Sequence, residues 1–127
     1  MRIALLHATF EEAGGTERVA LSMTRALREL GHEVDLYTTF LDERAWSLLA
    51  GPGDPRPRLL SPGLKASLLR RLGGGRLARL RRLEAAASAA RALEEAGGYD
   101  IYVDTQSNAP LLDASYIHYP AALDYLA

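Results

Sequence analysis

Apolar residues first occur as an unbroken run, "RIALLH" at residues 2–7, with no alternation. Such a run predicts a strand buried on both faces. The period then changes. Val19, Met23, Ala26, Leu27 and Leu30 recur at helical spacing, Arg18, Arg25, Arg28 and Glu29 fall mostly elsewhere, and Gly31 supplies a stop. "EVDLYTT" at 33–39 is rich in residues that favour sheets and predicts a second strand. Strand, helix and strand within forty residues make a βαβ unit with a right-handed crossover.

Further along, "LDERAWSLLA" predicts a short helix, and "GPGDPRPRLLSPG" a loop holding a short third strand around 58–60. A helix is expected over 64–72, cut by Gly73, Gly74 and Gly75. A long Ala- and Leu-rich helix follows from about 76 to 96, stopped by Gly97 and Gly98. "DIYVDT" at 100–105 and "ASYIHY" at 114–119 complete the strands. This alternation predicts an α/β fold, a Rossmann-like parallel sheet with helices on both faces.

Composition narrows the class. The 127 residues suit one domain, and 48% hydrophobic with 24% charged residues predicts a packed core. A net charge of −1 excludes a wholly polyanion-binding protein and leaves local patches open. With no cysteine, disulfides and thiolate metal sites are absent, which fits a reducing compartment. The N-terminal apolar run is too short for an export signal, and no stretch approaches the ~20 apolar residues of a membrane span. The expected location is therefore cytoplasmic, with room for peripheral attachment to the inner face of a membrane.

In an open α/β sheet, ligands bind beyond the carboxyl ends of the strands. The polar residues at those ends are His7 and Thr9, Thr38 and Thr39, 104–108, and His118. Gly14 and Gly15 precede the first helix. There backbone amides can approach an anion at the positive end of the helix. The other reading of the pair is a loop that only needs positive φ angles. G-x-G-x-x-G is absent, and Asp35 lies inside its strand rather than at its end, so a nicotinamide dinucleotide site is disfavoured. A P-loop lacks its G-K-[ST], a serine hydrolase its G-x-S-x-G, and the three histidines show no metal-ligand spacing. His118 suits a contact to a sugar hydroxyl or phosphate, or else a core histidine bonded to a carbonyl. His32 reads as a cap or packing residue at the helix end.

From 55 to 83 there are nine basic residues and no acid. In "LKASLLRRL" a leucine side adjoins Lys65, Arg70 and Arg71, a pattern that can lie on an anionic membrane surface. The plainer expectation has the leucines packed on the domain and the charges solvated. Nucleic acid is not expected, since aromatic residues and recognition motifs are missing from this stretch.

"MRIALLHATFEEAGGTERVALSMTRALRELGHEVDLYT" resembles the start of glycosyltransferase family 4 enzymes of the GT-B fold, through the strand, the Gly14-Gly15 loop, Glu17-Arg18-Val19 and "LGHEVDLYT". "YDIYVDTQSN" resembles the fourth-strand region of that domain. "YIHYP" at 116–120 is similar to a segment of lipid-linked oligosaccharide α-1,2-mannosyltransferases. The resemblance implies the N-terminal, acceptor-side half of a retaining transferase spanning 1–127, with a nucleotide-sugar donor and a glycan or lipid-linked acceptor. Gly14, Gly15 and Thr16 would approach the donor diphosphate, and His118 would act at the donor sugar. Asp104, Thr105, Gln106, Ser107 and Asn108 would line the acceptor side, and Lys65, Arg70 and Arg71 would meet a membrane surface. GDP-mannose is suggested by "YIHYP" alone. No metal and no cofactor is implied. Nothing in the sequence corresponds to the family's donor-binding domain, so this chain alone is expected to be inactive. Two rivals stand beside this reading: a non-catalytic, membrane-recruiting partner subunit of a split transferase, and a standalone nucleotide-binding Rossmann-like module.

Overall fold

The computed structural model describes residues 1–72, 77–107 and 111–116. Asn108, His118 and the glycine break at Gly73, Gly74 and Gly75 lie outside the described residues, as does all of "YIHYP" beyond Tyr116.

The first strand, β1 (Arg2–Leu6), is central because it is apolar on both faces: Ile3, Ala4, Leu5 and Leu6 are all buried. It is followed by β2 (Thr9–Phe10), α1 (Gly15–Glu29), β3 (Glu33–Thr38), β4 (Phe40–Leu41), α2 (Glu43–Leu49), β5 (Arg58–Leu59), α3 (Leu64–Leu72), α4 (Ala78–Ala96), β6 (Ile101–Asp104) and β7 (Ala114–Ser115). The main sheet is parallel in the order β5-β3-β1-β6-β7. Its strand order reverses between β1 and β6. That is the topological switch point, where ligands settle in doubly wound sheets.

Period-2 alternation along β1 divides the core. Ile3 and Leu5 join Ala20, Leu21, Val34, Leu36, Trp46 and Leu49 under α1 and α2. Leu6 points the other way, to Ala89, Ala90 and Leu93 of α4. Helices therefore cover both faces, as the sequence predicts. β3 is less enclosed than its composition suggests. Val34, Leu36 and Thr38 are buried, while Asp35 and Tyr37 are half-buried on the α4 side. Asp35 accepts a hydrogen bond from the Tyr99 hydroxyl (2.5 Å) and faces Arg58 (3.2 Å). Burial first, then Asp35 and Tyr37, push the Tyr99 hydroxyl far above its ordinary pKa.

The inward face of α1 is rotated from the predicted one. The buried positions are Glu17, Ala20, Leu21 and Thr24, whereas Ala26 and Leu30 are exposed. Two polar residues on this stripe hide it from a hydrophobicity pattern. Thr24 meets its own need by donating to the Ala20 carbonyl at 2.8 Å. The helix ends in a Schellman motif: His32 N–H donates to Leu27 O, Gly31 N–H donates to Arg28 O, and Gly31 has φ +91°. His32 thus serves the helix end through its backbone, and its ring meets the N-terminal amine at 3.1 Å.

β2 and β4 are too short to show any periodicity. They pair in parallel, Thr9 with Phe40 and Phe10 with Leu41, and carry the β1–β3 direction past the sheet edge. Asp42 then caps α2 by accepting from Ala45 N–H at 2.8 Å.

α3 packs on α4, and Gly63 sits where they approach. Its φ is +85°, and a Cβ there would lie 2.3 Å from Ser88 Oγ. Gly63→Ala is expected to cost about 1–2 kcal/mol from the left-handed backbone, with the Ser88 contact adding to it. Urea unfolding checks this, and a loss under ~0.5 kcal/mol would show that the helices do not meet there.

Candidate functional site

The C-terminal ends of β1 and β6 come together around His7, which is fully buried. His7 Nδ1 lies 2.9 Å from Thr105 Oγ1, and Thr105 donates its hydroxyl proton to Leu6 O at 3.1 Å. A hydroxyl has one proton, so Thr105 must accept from His7, and Nδ1 carries the hydrogen. On the other side of the ring, Nε2 lies 3.6 Å from Glu17 Oε1. Glu17 also accepts from the Thr16 hydroxyl at 2.9 Å. Burial alone would raise the Glu17 carboxyl, but the His7 ring beside it, its own amide and the Thr16 hydroxyl hold it below its usual value.

This network accounts for Gly14. Neither Gly14 nor Gly15 has a positive φ, so the reading of a loop that merely needs left-handed glycines is corrected. Gly14 is extended, at φ −93° and ψ −173°, and a Cβ on it would fall 2.9 Å from Glu17 Oε2. The carboxylate fills the space that a side chain would need. Gly15 has open space on that side and begins α1, and Gly14 brings no side-chain acceptor to the helix start. Thr16 is half-buried, with its hydroxyl turned to Glu17.

The acceptor-side candidates divide. Asp104 and Thr105 are enclosed. Asp104 accepts from Gln106 N–H (3.1 Å), Ser107 N–H (3.2 Å) and the Ser107 hydroxyl, so it holds the turn after β6. Gln106 clamps the far side: its Oε1 accepts from Thr9 N–H at 2.7 Å and its Nε2 donates to Thr9 O at 3.2 Å. Gln106 and Ser107 are half-buried at the sheet edge, and Asn108 and His118 lie outside the described residues.

A cleft opens beside this edge, lined by Thr9, Glu11, Thr39, Phe40, Pro62, Ala66, Ser67, Arg70, Arg81 and Ala85. Most of these residues escape sequence reasoning, because they come from four separate stretches and share no motif. Glu17 shares a helical stripe with Ala20, Leu21 and Thr24, but as a charged residue it carries the pattern of an exposed position.

All three proposed surface cations, Lys65, Arg70 and Arg71, are exposed, and Arg70 also stacks over the Phe40 ring, Cζ 4.0 Å from its centroid, at the cleft. The leucines beside them do not pack as expected. Leu64, Leu68 and Leu72 are 79%, 50% and 74% exposed. The reason is geometric: α3 docks on α4 through small Ala66, and these leucines lie on the opposite side of the helix. Among the described residues no group of three or more His, Asp or Glu is placed to hold a metal, and no helix is long and apolar enough to cross a membrane.

The family model described as "Glycosyl transferase 4-like domain" matches residues 14–115, from the helix-opening glycine to β7. This chain belongs to the glycosyl transferase 4-like domain family. No curated protein and no solved structure matches it. For a glycosyl transferase 4-like domain, the general chemistry is sugar transfer, with a sugar donor and an acceptor as substrates. The matched span covers the Gly14–Glu17 turn, β6 and the cleft residues from Thr39 to Ala85, while β1 and the cleft residues Thr9 and Glu11 lie before it.

Proposed function

We propose that this chain is the N-terminal, acceptor-side domain of a retaining GT-B glycosyltransferase that uses a nucleotide-sugar donor. The observation that carries the reading is the parallel β5-β3-β1-β6-β7 sheet with its switch point beside the Gly14–Thr16 helix start, in a chain whose residues 14–115 match the family. The amides of Gly15 and Thr16 would face the donor diphosphate, each contributing about 1–3 kcal/mol when charge-assisted. His118 would orient the donor sugar, and Gln106, Ser107 and Asn108 would border the acceptor. Asp104 and Thr105 would act indirectly, by fixing that border. GDP-mannose is the donor to try first, with a glycan or lipid-linked acceptor, and a donor-binding domain or partner chain would complete the cleft.

The test is sugar transfer by the complete gene product, using GDP- and UDP-sugars and reading the anomer by NMR. Transfer with retained configuration is expected. Transfer with inversion would discard the retaining reading, and tight binding of a free nucleotide without transfer would favour a standalone nucleotide-binding module.

The exposed leucine stripe favours a second reading, peripheral membrane contact through α3. Leu64, Leu68 and Leu72 beside Lys65 and Arg71 make an apolar strip with a basic margin. Binding to phosphatidylglycerol-containing vesicles is expected to fall about 10-fold or more in a Leu64→Ser, Leu68→Ser double variant. Undiminished binding would remove α3 from the contact.

A further inference from the structure

We propose that the cleft between the β2–β4 ladder and α3–α4 binds a phosphate group of the acceptor. The inference rests on the acceptor-side reading above and names the chemistry that reading leaves open.

Charge is the first argument. Glu11 is shared by two guanidinium groups, Arg81 at 2.8 Å and Arg82 at 3.4 Å. Arg70 closes the opposite wall, stacked on Phe40, and forms no ion pair among the described residues. Arg70 and Arg81 line the cleft and Arg82 meets Glu11 from outside the lining, so three guanidinium groups stand near one carboxylate. The excess matches a phosphate monoester, which carries about −1.5 to −2 at pH 7. A monovalent carboxylate would leave part of it uncompensated.

Geometry is the second argument. Stacking fixes the plane of the Arg70 guanidinium, and Glu11 fixes one edge of Arg81. A planar fork held in place suits a tetrahedral oxyanion better than a mobile ammonium does. The nearby hydroxyls do not compete for the role. Thr39 and Ser67 give their protons to Ala8 O (2.7 Å) and Gly63 O (2.9 Å), so recognition falls to the arginines. Position is the third argument. The cleft lies at the carboxyl edge of the β1–β3 pair, where open α/β sheets take their ligands.

Phosphate could reach the cleft on a soluble sugar phosphate or on a lipid headgroup, and two probes separate these sources. The first is glycerol 3-phosphate, added to the full chain while the Arg70 and Arg81 Nε–Hε signals are followed by NMR, with glycerol as control. Saturable shifts in both signals are expected. Arg70→Gln should weaken binding about 10-fold. Glu11→Gln, which removes the competing carboxylate, should strengthen it about 3-fold. The second probe is co-sedimentation with phosphatidic acid vesicles against phosphatidylcholine vesicles. Capture that is lost in Arg70→Gln, without any response to glycerol 3-phosphate, assigns the phosphate to a lipid. Absence of both responses overturns the proposal, as does binding to which Arg70→Gln is indifferent. The readout is binding by this chain. Failure of sugar transfer therefore leaves the subsite standing, and loss of phosphate binding with transfer intact removes only the subsite.

Discussion

Phe10→Ala is expected to lower the unfolding free energy by about 3–5 kcal/mol, the range for deleting a fully buried aromatic ring. Phe10 is wholly enclosed, with its ring 4.6 Å from His7 and 6.0 Å edge-on to Trp46. It is the point where the α1–α2 core reaches the base of the site. Removing the ring opens a cavity between His7 and Trp46, which the surrounding strands cannot close without moving. Its backbone matters as well, since Phe10 O accepts the Asp42 N–H that sets the start of α2. Urea unfolding followed by Trp46 fluorescence measures the loss, and Phe10→Leu should retain part of the stability. A loss under ~1 kcal/mol would mean that the ring is not packed as described.

Glu17→Ala is the second large effect, about 2–3 kcal/mol, because hydrogen bonds to a nearly buried carboxylate are the costly ones to remove. The pH dependence identifies the cause. The folded Glu17 carboxyl is held below its usual value of 4.5. A group with a depressed folded pKa stabilises the native state above its unfolded pKa, and that contribution disappears as pH falls through the folded one. Wild-type stability should therefore fall more steeply than that of Glu17→Gln as pH drops below 4.5, since Gln keeps the volume without the titration. Asp54 and Glu43, also held low by Arg25 and Arg56, titrate alike in both proteins and drop out of the comparison. Parallel acid limbs for the two proteins would sink the assignment.

Much of this architecture can be read from residues alone. The unbroken run in β1, the glycine at the end of α1 and the alternating strands and helices each reflect a local rule, and the parallel sheet follows from them. The inward face of α1 does not, because Glu17 and Thr24 look like surface residues until their partners are known. Those partners are His7 and the Ala20 carbonyl. β2 and β4 span two residues each, too few to express any period. Glycine raised the same problem at the site. The double glycine was visible, but its cause at Gly14 is the neighbouring carboxylate rather than a turn. The cleft lay furthest from view, since Glu11, Phe40, Arg70 and Arg81 meet only through tertiary packing.

The placement of β1 has a consequence for synthesis of the chain. Its first neighbour, β3, is complete at Thr38, but its second, β6, ends at Asp104, more than sixty residues later. At a translation rate of 5–20 residues per second, the interval is roughly 3–13 s. During it, the β1–α1–β3 unit has emerged from the ribosome with one edge of its most apolar strand unpaired. A bare parallel edge of this kind is what chaperones shield and what stalled chains aggregate through. The contact from His7 to Thr105, which joins β1 to β6, thus waits until β6 has been made.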